Sequence, residues 1–194
     1  IAPRAALTCL AAAITARGGT VGVGDAPGDG LVLWATGWEW LRDTGMGTGQ
    51  KGQSVLLDFE ARGAPQVYAD GLHIVPHANG TVAVGSTSER DFTDAAPDDR
   101  ALALADHAAA ICPALAGARV IATWAGIRPR ARTRAPLLGA WPGRPGQFVA
   151  NGGFKIGFGM APGVARVMAD LILEGRDAIP AAFRFHGAGD TPIT

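Results

Sequence analysis

The stretch WAGIRPRARTRAPLLGAWPG, residues 124–143, holds four arginines at alternate positions, Arg128, Arg130, Arg132 and Arg134. Arg128 ends an apolar run and precedes Pro129, whose ring biases it toward an extended backbone. A guanidinium at the end of a buried strand needs an anionic partner, because an unpaired buried charge is costly. One reading pairs it internally with one of the chain's 17 acids. The other leaves its planar fork free to grip a ligand carboxylate through two parallel hydrogen bonds. Arg130, Arg132 and Arg134 lie beyond the proline and read as a solvated loop. A second candidate is NGGFKIGFGMAPG, residues 151–163. Its glycines let backbone approach a flat or phosphorylated ligand, and a helix from about Ala161 turns its positive end toward them. Close packing of a helix on a sheet selects the same glycines, so packing and ligand both stand.

Other chemistries find less support. His73, His77, His107 and His186 show no metal-ligand spacing, and no metal site is expected. Neither GDG nor GTGQKGQ matches a phosphate-binding G-x-x-x-x-G-K-[ST] loop, and the second reads as a flexible connection. Lys and Arg total 17 against 17 Asp and Glu, a formal net charge of zero that speaks against a nucleic-acid partner. Cys9 and Cys112 are too few and too far apart for a disulfide framework and read as small buried residues. No apolar run reaches the roughly 18 residues of a membrane span, and no signal peptide opens the sequence. A cytoplasmic protein is expected.

The elements that must position these groups change character along the 194 residues. PRAALTCLAAAITARGG reads as a helix opened by Pro3 and closed by Gly18 and Gly19. TVGVG suggests a short strand, and LVLWATG, residues 31–37, a strand buried on both faces of a parallel sheet. From Lys51 the pattern turns to antiparallel strands: QSVLLDF, QVYAD, LHIVPH and TVAVGST, with Asn79-Gly80 as a hairpin signal. Residues 97–112 form an amphipathic helix with acids at its N-terminal end. ARVIATWAGI is a strand that enters the arginine cluster. GQFVANGG is a further strand, and APGVARVMADLILEG is a helix with Val164, Val167, Met168, Leu171 and Ile172 on one face. The tail after Pro180 reads as an irregular surface segment. The fold class is thus α/β plus α+β.

In this order the segments LVLWATGWEWL, KGQSVLLDF, LHIVPHANGTVAVGSTSERDF, CPAL, TWAGIRPRARTRAPLLG and NGGFKIGFGMAPGVARVMADLI resemble the C-terminal part of the flavin-dependent D-amino-acid oxidase family, its glycine oxidase-like members above all. The resemblance runs from about Ala35 to Gly175. It implies a partial FAD-binding Rossmann-like domain in residues 1–42 and 126–194, and a substrate domain with an antiparallel sheet in residues 43–125. It also implies that FAD is the cofactor and that an amino acid is oxidised at its C–N bond by hydride transfer to the flavin. Arg128, matching the arginine of the family's GLRP motif, would bind the substrate carboxylate. His73 and Ser88 would line the substrate pocket, and Lys155 would lie near both substrate and flavin. The flavin would be met by Ala35, Thr36, Gly37 and Trp38, and by Gly126 and Ile127. The backbone of Gly152, Gly153, Phe154, Lys155, Ile156, Gly157 and Phe158 would line its ring.

Departures accompany the resemblance. His73 stands where glycine oxidase has a tyrosine, and Ser88 replaces a larger apolar residue. Gly153, Ile156 and Thr133 replace polar or acidic side chains. No G-x-G-x-x-G follows an N-terminal strand, so the pyrophosphate turn of a dinucleotide site is missing and a fragment is expected. Two alternatives remain: a non-catalytic remnant acting in binding or assembly, and an amino-acid dehydrogenase whose electron acceptor is not oxygen. Five tryptophans, with an apolar surface left by the absent part, would favour a homo-oligomer.

Overall fold

The computed structural model describes residues 2–24 and 29–187. It divides into two compact units, Ile1–Gly30 and Leu31–Thr194. In the first unit, helix α1 (Pro3–Thr15) begins with proline in its first turn, where a missing N–H costs nothing, and ends before Gly18 at φ 82°. None of its residues is buried, and Cys9 is exposed, contrary to the expectation of a buried cysteine. The expected strand at TVGVG does not form. Residues 20–24 follow the helix as irregular chain with no partner strand among the described residues, and Val23 is fully exposed.

The second unit holds two sheets. In the larger, five strands are ordered β3-β4-β5-β2-β6, all antiparallel. They are β2 (Gly47–Asp58), β3 (Val67–Ala69), β4 (Leu72–Pro76), β5 (Thr81–Gly85) and β6 (Arg119–Ala131). Alternation decides which side is core. Val55 and Leu57 of β2, Leu72 and Ile74 of β4, and Val82 and Val84 of β5 pack with Leu104 and Ala108 of helix α3 (Asp99–Ile111). The intervening residues, Ser54, Leu56, His73, Val75, Ala83 and Gly85, form the other face. Cys112 packs against the edge of this core.

Two hairpins join β3, β4 and β5, and one expected connection is itself a strand. The tight hairpin is Asp70-Gly71, both at positive φ (49° and 74°), joining β3 to β4 with Ala69 opposite Leu72. The Asn79-Gly80 hairpin takes a longer loop, closed by His77 N–H to Thr81 O at 2.8 Å. GTGQKGQ is not a flexible connection but the first half of β2, paired residue for residue with β6 from Gly47–Ala131 to Gln53–Ala125.

The smaller sheet is ordered β1-β8-β7, with β1 (Val32–Trp34) parallel to β8 (Gln147–Asn151) and β7 (Leu137–Ala140) antiparallel to it. One face packs Ala131, Leu137 and Val149 with Leu41 of helix α2 (Trp38–Asp43) and with Phe185. The other packs Leu138 with Met168 of helix α4 (Gly157–Glu174), and Val164, Val167, Leu171 and Ile172 join it, the face foreseen from the sequence. Helix α4 starts four residues before the expected Ala161. Pro162 deletes only one early hydrogen bond there, and Gly175 closes the helix in the left-handed conformation. Strand β1 lies at the sheet edge with Leu31 and Leu33 exposed, so it is not covered on both faces as its apolar run suggested. The segment after Pro180 is not a surface tail either: Phe185 is buried and its N–H donates to Leu138 O at 2.8 Å. Residues 188–194 lie outside the described part.

Candidate functional site

Strand β6 runs unbroken through Pro129, which pairs with Gly49, so Arg128 and Arg130 are strand residues. Arg130 is therefore half-buried beside β2 rather than in a solvated loop, with its guanidinium 6.0 Å from the centre of the Phe154 ring. Arg132 and Arg134 are exposed, as expected. Arg128 faces Gln50 across the ladder, and the next pair on that face is Gly126 with Gly52. This face is the one turned away from α3.

The Arg128 side chain lies flat over Gly52. A β-carbon at residue 52 would fall 2.1 Å from Nη1 and 2.2 Å from Nη2, so glycine is what lets the guanidinium rest on the strand. Nη2 donates to the Ser86 hydroxyl and Nη1 to the Thr87 carbonyl at 3.4 Å. Among the described residues Arg128 has no carboxylate in ion-pair contact; Glu89 acts on it only as a nearby charge. Burial lowers its pKa from the ordinary value and Glu89 opposes the shift, and an arginine so placed stays protonated at any working pH. Among the described residues the internal salt bridge left open by the sequence does not form. A half-buried cation instead spends part of its fork on a hydroxyl and a carbonyl.

Three of the expected residues share this face of the sheet. Ser88 receives Gln50 Nε2 at 2.7 Å and is exposed, on the segment that also supplies Ser86 and Thr87. His73 sits opposite Gly85, the residue before Ser86, with its ring stacked on Tyr68 at 4.4 Å and Nδ1 hydrogen-bonded to Gln66 at 2.9 Å. Gly126 shares the Arg128 face, and a β-carbon there would meet nothing within 4 Å. Ile127 and Trp38 do not join them. They close over Gly49 with Phe92 on the opposite face, where a cleft of about 1040 Å³ is lined by Lys51, Asp94, Asp98 and Arg100.

The two turns expected to meet a flat ring are tied together. Asn151, buried at the end of β8, donates from Nδ2 to Gly37 O at 2.9 Å, and its Oδ1 accepts the Gly152 N–H at 2.7 Å. That joins the Ala35, Thr36, Gly37 turn to the glycine turn. Phe154 N–H donates to Pro129 O at 3.1 Å, so the same turn is anchored one residue from Arg128. Glycines here serve two purposes. At Gly152 and Gly153 a β-carbon would press on Ala131 at 3.0 Å and Gly157 at 2.8 Å, which is packing. At Gly37, Gly157 and Gly159 it would meet nothing within 4 Å, which leaves bare backbone open to a partner. Ile156, Phe158 and Lys155 are exposed beside the first turn of α4, whose N–H groups lack intrahelical acceptors. Open backbone, free amide donors and one lysine fit an aromatic ring that gains negative charge.

Gln50, Gly52, Ser86, Thr87 and Asn151 were not singled out from the sequence. A glycine inside a strand is a sign of close approach, and an asparagine before Gly-Gly is a sign of a tied turn; both signals were available. Among the described residues no cluster of His, Cys, Asp and Glu could hold a metal, and no helix is long and apolar enough to cross a membrane.

Residues 2–171 match the family model described as FAD dependent oxidoreductase. The chain is 34% identical over 163 residues to a glycine oxidase of Pseudomonas aeruginosa, covering 80% of this chain and 44% of that protein. It is 33% identical over 183 residues to a glycine oxidase of Pseudomonas putida, covering 88% of this chain and 50% of that protein. A crystal structure of glycine oxidase from Geobacillus kaustophilus superposes with a TM-score of 0.72 at 28% identity, over 80% of this chain and 45% of that one. The chain thus spans about half the length of these relatives.

Proposed function

The chain belongs to the FAD-dependent oxidoreductase family, and on that premise we propose that the protein carrying it oxidises a small amino acid at its C–N bond. The observation that carries this reading is Arg128: a half-buried cation on an open sheet face, resting on Gly52, with no carboxylate in ion-pair contact among the described residues. Its unspent N–H groups suit a carboxylate, and charge-assisted hydrogen bonds to one are worth more than those to neutral acceptors. His73 and Ser88 border the same face. The likeness to glycine oxidases supports an amino acid over other carboxylates.

FAD, the cofactor of that family, would supply the two-electron acceptor. The residues that would hold its ring are the open backbone at Gly37 and from Lys155 to Gly159, with Lys155 contributing positive charge. Arg128 would fix the substrate by its carboxylate so that its α-carbon faces the turn from Gly152 to Phe158. Positioning of this kind is a large part of what a protein adds to cofactor chemistry. The remainder of FAD would be held by a dinucleotide site outside these residues, the electron acceptor would be oxygen, and the protein would act in the cytoplasm.

The test is Arg128→Ala in the flavin-loaded protein. KM for the amino acid is expected to rise by about 30-fold or more, since a hydrogen-bonded charge contact is worth roughly 2–5 kcal/mol, while the visible flavin spectrum is kept. Unchanged KM would remove the assignment.

A further inference from the structure

Arg128 does not hold its own position: both of its neutral partners lie on the segment Ser86–Thr87, and that segment is held from the far side of the sheet. Gln53, fully buried on the core face, takes Thr87 as its backbone partner. The Gln53 N–H donates to Thr87 Oγ1 at 2.8 Å, and Thr87 N–H donates to Gln53 O at 3.2 Å. The Gln53 amide is spent completely. Nε2 donates to Glu89 at 3.0 Å and to Asp98 at 2.9 Å, and Oε1 accepts the Asp98 N–H at 2.8 Å. Thr87 Oγ1 in turn donates to Glu89.

Asp98 caps α3 by accepting the Arg100 N–H, so the chain of bonds starts at a helix end and finishes at the carbonyl that receives Arg128. Within this network Glu89 Oε2 is buried without a hydrogen-bond partner, 3.0 Å from Arg100 Nη2, but every polar group of the Gln53 amide is bonded, and breaking one of those bonds strands a buried partner. We propose that Gln53 and Thr87 are positioning residues for Arg128: they hold the Ser86–Thr87 segment so that the guanidinium lies over Gly52 with its free edge toward the ligand. Neither side chain is placed to touch the substrate. The proposal rests on Arg128 being the carboxylate anchor.

Gln53→Ala would leave Glu89 and Asp98 without their shared donor and can unfold the protein, so the informative variant is Thr87→Val. It keeps the shape and removes the hydroxyl. Two quantities are read in the flavin-loaded protein: the Kd of acetate by calorimetry, and KM against kcat for the amino acid. Both Kd and KM are expected to rise on the order of tenfold, with kcat changed by less than about threefold, and Thr87→Ser is expected to restore both. The proposal is overturned if Thr87→Val leaves acetate Kd and KM within about twofold of the parent, or if Thr87→Ser behaves like Thr87→Val. Arg128→Ala, measured alongside, separates the two readings. If it leaves acetate binding unchanged, the anchor and its positioning both fall. If it abolishes binding while Thr87→Val is silent, only the positioning falls.

Discussion

At Arg128 the decisive neighbour is a residue with no side chain. The guanidinium occupies the space where a Gly52 β-carbon would be, and Gly52 itself lies in a regular strand pair with Gly126. Gly52→Ala should therefore fold, since the clashing atoms are the far end of a flexible side chain, but the guanidinium must leave its seat. We expect the acetate Kd to rise on the order of tenfold, about 1.4 kcal/mol, with thermal stability nearly unchanged; calorimetry on the flavin-loaded variant reads this. Ser86→Ala removes one acceptor from the same fork. An effect of about 1 kcal/mol, a few-fold in KM, is expected for one hydrogen bond in a partly buried site.

Among the elements, α3 and the five-stranded sheet are coupled through Asp98. The Arg100 side chain, then the Gln53 amide, and the Arg100 N–H hold the Asp98 carboxyl well below the usual carboxylate range. Because its folded pKa is depressed, the stability it contributes is fully present above the ordinary aspartate range, near pH 4, and is lost as pH falls toward the lower folded value. Asp98→Asn should thus lower the thermal midpoint at pH 7, and by progressively less as pH falls below about 4, as thermal melts across pH 2.5–7 would show. Leu57, completely buried between the sheet and α3, sets the scale for the core itself. Leu57→Ala is expected to cost about 2–5 kcal/mol in chemical denaturation.

For the molecule as a whole, much apolar surface faces outward. Leu7, Leu10 and Ile14 on α1, Leu31 and Leu33 at β1, and Phe158 and Leu173 on α4 are all exposed. Exposed apolar patches of this kind mark surfaces that other polypeptide covers, and relatives about twice as long are consistent with that. Expressed by itself, the chain is expected to bind a hydrophobic-surface dye strongly. The double change Leu7→Glu and Leu10→Glu should reduce the fluorescence; an unchanged signal would show that α1 is not the source.

Local chemistry was legible in the sequence wherever a single segment decided it. Pro3 and Gly18 bounded α1, the apolar stripe from Val164 to Ile172 chose the buried face of α4, and Arg128 stood out as a strand-end cation needing an anion. What needed the tertiary structure were the outcomes set by partners. GTGQKGQ looks like linker because its glycines and polar residues carry no apolar alternation. It is strand because β6 lies beside it, and its glycine is the seat of a guanidinium from that neighbour. The run LVLWATG predicts burial, yet burial depends on what lies against a strand, and β1 is an edge. Whether Arg128 meets an acid inside or waits for one from outside was undecidable along the chain. Only the run of Ser86 and Thr87 alongside β2, where the Arg128 side chain reaches them across Gly52, showed its fork to be filled on one side and free on the other.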